Sequence, residues 1–298
     1  MKTKKTVVLK MILRIGILFF ACLLSCAIAR AQTNSNTTTA PGSSLPGLGV
    51  LNLGLEGPGF VEVGYGHSAL SGDNSDWNDV YLRGSVSGGR NVFNGELNHD
   101  DRFGDSGWYG GLGWTRTLSE NWFAQVSAGA SVGGFFLPRF RTDGLINRKL
   151  LRRRQLVVTA GVGFDQSKTV DNDIRGQAGA AYYFEKYPVV LQGGLTWTHA
   201  NPGDILARTQ YIAATQGHDK EHFFSLRYEW GREGYEVIGP PTAQAPAFNV
   251  ALDFPEHTVA GTWRQWIGPN WGLNFNVEQH QEPAYHRLGG TVGVFLDF

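Results

Sequence analysis

From Phe60 onward, apolar residues alternate with polar or small ones at a period of two. Val61, Val63 and Tyr65 interleave with Glu62, Gly64 and Gly66. Val80, Leu82 and Val86 interleave with Tyr81, Arg83, Ser85 and Ser87. Trp122, Ala124, Val126, Ala128, Ala130 and Val132 interleave with Gln125, Ser127, Gly129 and Ser131. Successive side chains of a strand leave on opposite faces, so each segment predicts a strand with one apolar face. The pattern recurs at 93–98, 108–115, 156–164, 174–184, 189–197, 224–230, 259–263, 271–277 and 288–298. With Arg139–Leu150 and Leu206–Thr215 as weaker strands, the count reaches about 14, within a range of roughly 12 to 16.

Alternation alone also fits a soluble sandwich. Three features favour an antiparallel up-and-down transmembrane barrel, an all-β fold. Many segments run to about ten residues, the length a tilted strand needs to cross a bilayer. Aromatics gather at segment ends, as interfacial girdles do: Trp108 and Trp114, Trp122, Tyr182 and Phe184, Trp197, Tyr228 and Trp230, Trp263 and Trp266, Trp271. Short turns, Ser119-Glu120-Asn121 and Gly268-Pro269-Asn270, alternate with longer connections near Asp100–Gly107, Asn201–Leu206 and Gly231–Glu256. The short ones belong to the periplasm and the long ones to the outside. Gly231–Glu256, with Pro240, Pro241 and Pro246, is expected to be the longest outer loop and to reach over the mouth.

The N-terminus reads as an address. Lys2, Lys4, Lys5, Lys10 and Arg14 precede an apolar stretch, Ile15 to Leu24, and Ala29-Arg30-Ala31 offers the small residues a signal peptidase reads. The favoured cut follows Ala31; Leu23-Leu24-Ser25-Cys26 is the rival, a lipoprotein-like box. Residues 1–31 are thus a signal peptide, 32–58 a flexible tail rich in Asn, Thr, Ser, Pro and Gly, and 59–298 the barrel. Leu51, Leu53 and Leu55 in the tail are expected to add a short strand or to plug the lumen.

Cleavage changes the charge. The six Lys and Arg of the leader (2, 4, 5, 10, 14 and 30) leave 20 basic against 26 acidic residues. That balance lacks the basic footprint of a nucleic-acid binder. Both cysteines, Cys22 and Cys26, leave with the leader, so neither a disulfide framework nor a thiolate metal site is expected. No later segment approaches the ~20 apolar residues of a spanning helix.

At the C-terminus, Val292, Val294, Leu296 and Phe298 occupy every second position. A terminal aromatic on an apolar strand face resembles the signal that outer-membrane barrels present to the barrel assembly machinery, which takes up the last strand by strand addition.

Candidate chemistry is sparse. His67-Ser68 sits at the top of the first strand with Asp73, Asp76 and Asp79 close in sequence. Lipid A deacylases attack an acyl ester with such a pair. Alternation, however, sends His67 to the lipid side with Val63 and Tyr65, and Ser68 the other way. His99, Asp100, Asp101 and Asp105 form an acidic loop without the spacing of a defined ion site, and His218-Asp219-Lys220-Glu221-His222 lacks zincin spacing. Arg152-Arg153-Arg154, the one dense basic run, falls at a periplasmic turn, beside lipid headgroups or solvent. No catalytic, cofactor-binding or metal residues are assigned, and no cofactor is expected. The expected lumen lining has mixed sign: Glu62, Arg83, Glu96, Arg175, Arg227, Glu229, Arg264 and Glu278, with Gly111, Gly113, Gly161, Gly163 and Gly179. Such a set either forms ion pairs that fill the interior or lines a watery path.

Gly64-Tyr65-Gly66-His67 followed by Ser75-Asp76-Trp77, then Asp101-Arg102-Phe103-Gly104, then Phe136-Leu137-Pro138-Arg139-Phe140, and the closing Gly289–Phe298 strand give the chain from about Phe60 to Phe298 a likeness. It resembles the YaiO family of outer-membrane β-barrels. The resemblance implies bacterial outer-membrane location and a barrel, without an activity to carry onto residues. It also implies a link to surface-polysaccharide export partners. The leading expectation is a non-enzymatic barrel for passage or anchorage of a polar solute or surface polysaccharide, in contact with outer-membrane lipids and lipopolysaccharide. The alternatives are a lipid A deacylase-like enzyme and a binding or assembly protein acting through its surface loops.

Overall fold

The computed structural model describes residues 59–298 apart from 73–74, 169–171, 202–203, 240–247 and 284. The leader, the tail and the Leu51–Leu55 expectation lie outside the described residues. Fourteen strands follow one another: Gly59–Leu70 (β1), Trp77–Gly88 (β2), Asn91–Arg102 (β3), Asp105–Thr117 (β4), Trp122–Gly133 (β5), Phe140–Leu150 (β6), Leu156–Gln166 (β7), Asn172–Tyr183 (β8), Val189–Asn201 (β9), Ile205–His218 (β10), His222–Gly239 (β11), Phe248–Gly268 (β12), Trp271–Gln281 (β13) and His286–Asp297 (β14). Each pairs antiparallel with its sequence neighbour, and β14 returns to β1 to close the barrel. Closure leaves no open edge in the wall, the condition for a sheet in lipid.

The seam is long. Register runs from Phe60↔Asp297 to Leu70↔Arg287, and the ends are tied by Gly59 N to Phe298 O at 3.1 Å and Phe298 N to Gly59 O at 3.0 Å. The start of β1 and the end of β14 therefore share one mouth, the periplasmic one by the barrel rule.

The period-two pattern becomes two walls. Val63, Val80, Leu112, Val126, Val162, Ile212, Leu226, Val277, Val292, Val294 and Leu296 face outward as a continuous apolar band. Aromatics border it on the outer surface, among them Trp114, Trp122, Tyr182, Trp197, Tyr228, Trp263 and Trp271. Trp266 departs from the expected girdle. It is 6% exposed and faces the lumen, because it shares the parity of the inward Arg264, opposite to the outward Trp263 and Ile267.

Connection lengths also differ from expectation. The β3–β4 connection is a two-residue turn, Phe103-Gly104, in which both residues have positive φ (54° and 71°). Backbone of that hand matches strand twist, so the strands run to the very tip. Gly231–Glu256 is not a loop over the mouth. β11 and β12 stay paired from Arg232↔Pro255 up to Gly239↔Phe248, so the hairpin continues past the wall. β12 meets β13 only from His257 down. Pro255 thus lies on a strand edge, where a missing N–H is tolerated.

Candidate functional site

Inward parity gathers polar side chains in the lumen, and they sort into two ion networks. The first surrounds Glu62 of β1, whose side chain is 0% exposed. It accepts from Arg83 at 2.5 Å, from Tyr81 Oη at 3.0 Å, from Asn274 at 3.1 Å and from Arg264 at 3.2 Å. Its donors come from β2, β12 and β13, so one carboxylate ties strands from both ends of the chain. Arg264 reaches on to Asp297 at 3.5 Å and lies over the Phe295 ring, 3.5 Å from its centroid. Asp297 also accepts from Trp266 Nε1 and Lys220 Nζ, both at 2.7 Å. Each buried charge has an opposite charge and a hydrogen bond, the condition for keeping it away from water.

The second network lies on the β6–β8 wall. Arg175 donates to Asp143 at 2.7 Å and to Asp165 at 2.5 Å. Arg141 approaches the same two carboxylates at 3.3 and 3.6 Å. All four side chains come from neighbouring strands; Gly163 opposes both Asp143 and Arg175. A Cβ at Gly163 would press on the Arg175 guanidinium, so the glycine makes room for the ion cluster. Arg227 pairs with Glu229 at 2.6 Å and stacks over Tyr211, 3.8 Å from its centroid. Arg287 bonds Glu278.

Between these networks, tyrosines lie on glycines. The Tyr81 ring covers Gly64, Tyr109 covers Gly129, and Tyr211 covers Gly194, each where a Cβ would collide with the ring. Tyr81, Tyr109 and Tyr211 thus lie flat along the wall rather than across the lumen.

The sequence-singled residues are distributed as follows. His67 faces outward and half exposed, bonded to Asn78 at 3.0 Å and 3.6 Å from Asp76, while Ser68 is buried on the lumen side. The strand does not bend to bring the pair together. His99 meets Trp108 edge to face with centroids 4.7 Å apart, whereas Asp100 is buried and accepts from Arg102 at 2.7 Å. That histidine and that carboxylate lie on opposite faces. Arg153 bonds Glu185 and Arg154 bonds Glu120, so the basic run bridges neighbouring periplasmic turns. Lys220 of the 218–222 segment belongs to the Glu62 network through Asp297.

Asp143, Asp165, Arg141 and Asp297 escaped the sequence reading. Asp297 was accessible in principle: it has the parity opposite to Leu296 and Phe298. Arg141 and Asp143 sit on β6, whose apolar face is weakly marked in sequence, and Asp165 lies one residue beyond the alternating segment 156–164.

The sequence of residues 59–236 matches the family described as YaiO membrane beta barrel domain. None of the curated proteins matches the chain. Among solved structures, the CymD monoaromatic hydrocarbon channel aligns with a TM-score of 0.54 at 9% identity, covering 82% of this chain and 89% of that one. Omp33 of Acinetobacter baumannii aligns at 0.46 and 10% identity, over 82% and 100% of the two chains. The KdgM porin aligns at 0.40 and 10% identity, over 80% and 99%. Identities this low speak for fold alone. Strands, girdles and family agree: the chain belongs to the YaiO family of membrane β-barrels and resides in the bacterial outer membrane.

Proposed function

We propose that the barrel is a non-enzymatic conduit for polar solutes, with surface glycans among them. The carrying observation is that the charged wall away from Glu62 remains in reach of water. The side chains of Arg141 (22% exposed), Asp165 (19%), Arg227 (35%) and Glu229 (30%) are charged, inward and partly solvated. A solid interior would exclude water from such groups. Mixed sign along the wall suits uncharged or weakly charged polar solutes, since neither sign builds a strong barrier. The outward band and girdles seat the conduit among lipids and lipopolysaccharide, and the closing β14 is the strand the barrel assembly machinery would engage.

The lipid A deacylase reading is disfavoured because His67 and Ser68 lie on opposite faces. Liposome swelling with sugars of graded size tests the conduit. Swelling that slows as solute size rises is expected. Liposomes that carry folded, inserted barrel yet fail to swell with the smallest pentose would overturn it.

A further inference from the structure

The three short sequence marks that lie far apart along the chain meet at one place, the outer mouth above β2–β6. Trp77 follows Ser75-Asp76, Arg102-Phe103 belongs to the β3–β4 turn, and Phe136 opens the 136–140 run. In space Trp77 and Phe103 meet edge to face with centroids 5.0 Å apart, and Phe103 lies 6.3 Å from Phe136. The Arg102 guanidinium bridges the group, 4.9 Å over Trp77 and 5.7 Å over Phe136. Phe135, 5.7 Å from Phe136 and 6.1 Å from Phe103, completes the cluster.

The rings are displayed rather than hidden. Trp77 is the buried base at 7% exposure, while Phe103 is 44% and Phe135 60% exposed. Their backbone is held for that display. Phe103 sits at φ 54°, a conformation a bulky residue seldom adopts. Gly133 and Gly134 have φ of 69° and 51° just before Phe135, and Lys168 Nζ bonds both of their carbonyls. Phe135 N donates to Asp105 at 2.9 Å, and Arg139 bonds the Lys168 carbonyl at 3.1 Å. The strained Phe103 turn, the glycine-bearing connection before Phe135 and Lys168 are thus cross-tied to hold exposed phenyl rings at the aqueous entrance. Exposed aromatics of this kind mark a binding surface.

The surroundings select the class of ligand. A purely apolar solute calls for an apolar rim. Here the ring edges are bordered by a guanidinium, carboxylates and an ammonium, with Arg102 paired to Asp100 and exposed Asp101 beside it. Apolar faces framed by donors and acceptors match a pyranose, whose C–H face lies on a ring while its equatorial hydroxyls reach the charged groups. The signs are balanced, which matches a glycan without dense charge.

We propose that Phe103 and Phe135, backed by Trp77 and Arg102, form a saccharide-binding platform at the outer mouth. The proposal deepens the conduit reading by naming its solute class, but binding needs no transport, so the two can fail separately. The test is isothermal titration of the purified barrel in detergent with hexameric glucans, galactans and oligogalacturonate. At least one uncharged hexamer should bind, and Phe103→Ala and Phe135→Ala should each weaken it at least tenfold. Heat-modifiable migration checks that each variant is folded, and Phe103→Trp, which restores a ring, should recover binding. Binding by none of the hexamers, binding of oligogalacturonate alone, or binding untouched by either alanine variant, would overturn the platform. Loss of swelling with binding intact would instead count against the conduit.

Discussion

Glu62 and Asp165 are both lumen carboxylates set between two arginines, yet they are held differently. Glu62 is sealed from water and its donors come from β2, β12 and β13. Asp165 keeps 19% of its side chain in water, and Arg141 and Arg175 come from the strands on either side. The contrast follows from topology. The β1–β14 seam joins strands made at opposite ends of the chain, and Glu62 ties β1 to the strands beyond it. Strands β6–β8 are joined by short connections and need no such lock, so their charges are left to face solvent and solute.

The largest effect expected from this comparison is on Glu62. Glu62→Gln leaves Arg83 buried without the carboxylate it pairs with and leaves Arg264 with Asp297 alone, and should cost about 3–5 kcal/mol. Urea unfolding in detergent micelles measures it; a loss under about 1 kcal/mol would show that the seam does not depend on this lock.

Gly64→Ala ranks second. The new methyl meets the Tyr81 ring, which also donates to Glu62, so a loss of about 1–3 kcal/mol is expected. Adding Tyr81→Ala should be less costly in the Gly64→Ala barrel than in the native one, because the clash is gone. Equal costs in the two backgrounds would show that ring and glycine are not coupled.

Asp165→Asn should move stability by only about 1 kcal/mol, since the site is partly solvated. Its signature is selectivity: removing a negative charge from the wall should shift the reversal potential in a salt gradient toward anions. An unmoved potential would place Asp165 off the ion path.

The smallest effect belongs to His67→Ala. The side chain is half exposed and bonded only at the surface, so stability should change by less than about 0.5 kcal/mol. Lipid A extracted from cells carrying the variant should keep its acylation pattern; a changed pattern would revive the enzyme reading.

The alternation of residues such as Val61 to Gly66 made the barrel and its two walls legible, because strand parity is a local property. Parity alone also separates His67 from Ser68. It identified Glu62, Arg83 and Arg264 as inward but not that they meet, since the pairing depends on the β1–β14 seam and on register two strands further round. The end of β12 misled because aromatic character groups Trp266 with the girdle, although it has the parity of Arg264 and so faces the lumen. Gly231–Glu256 misled because its prolines read as loop, while hairpin pairing carried most of the segment on as strand. Phe103 and Phe135 gave no signal of partnership, because their meeting depends on the height of two neighbouring hairpins.

The most direct measurement is single-channel recording of the purified barrel in planar bilayers. A polar conduit with a water-reached wall should give stepwise conductance with weak ion selectivity. Bilayers that stay electrically silent, although inserted and folded barrel is recovered from them, would contradict it.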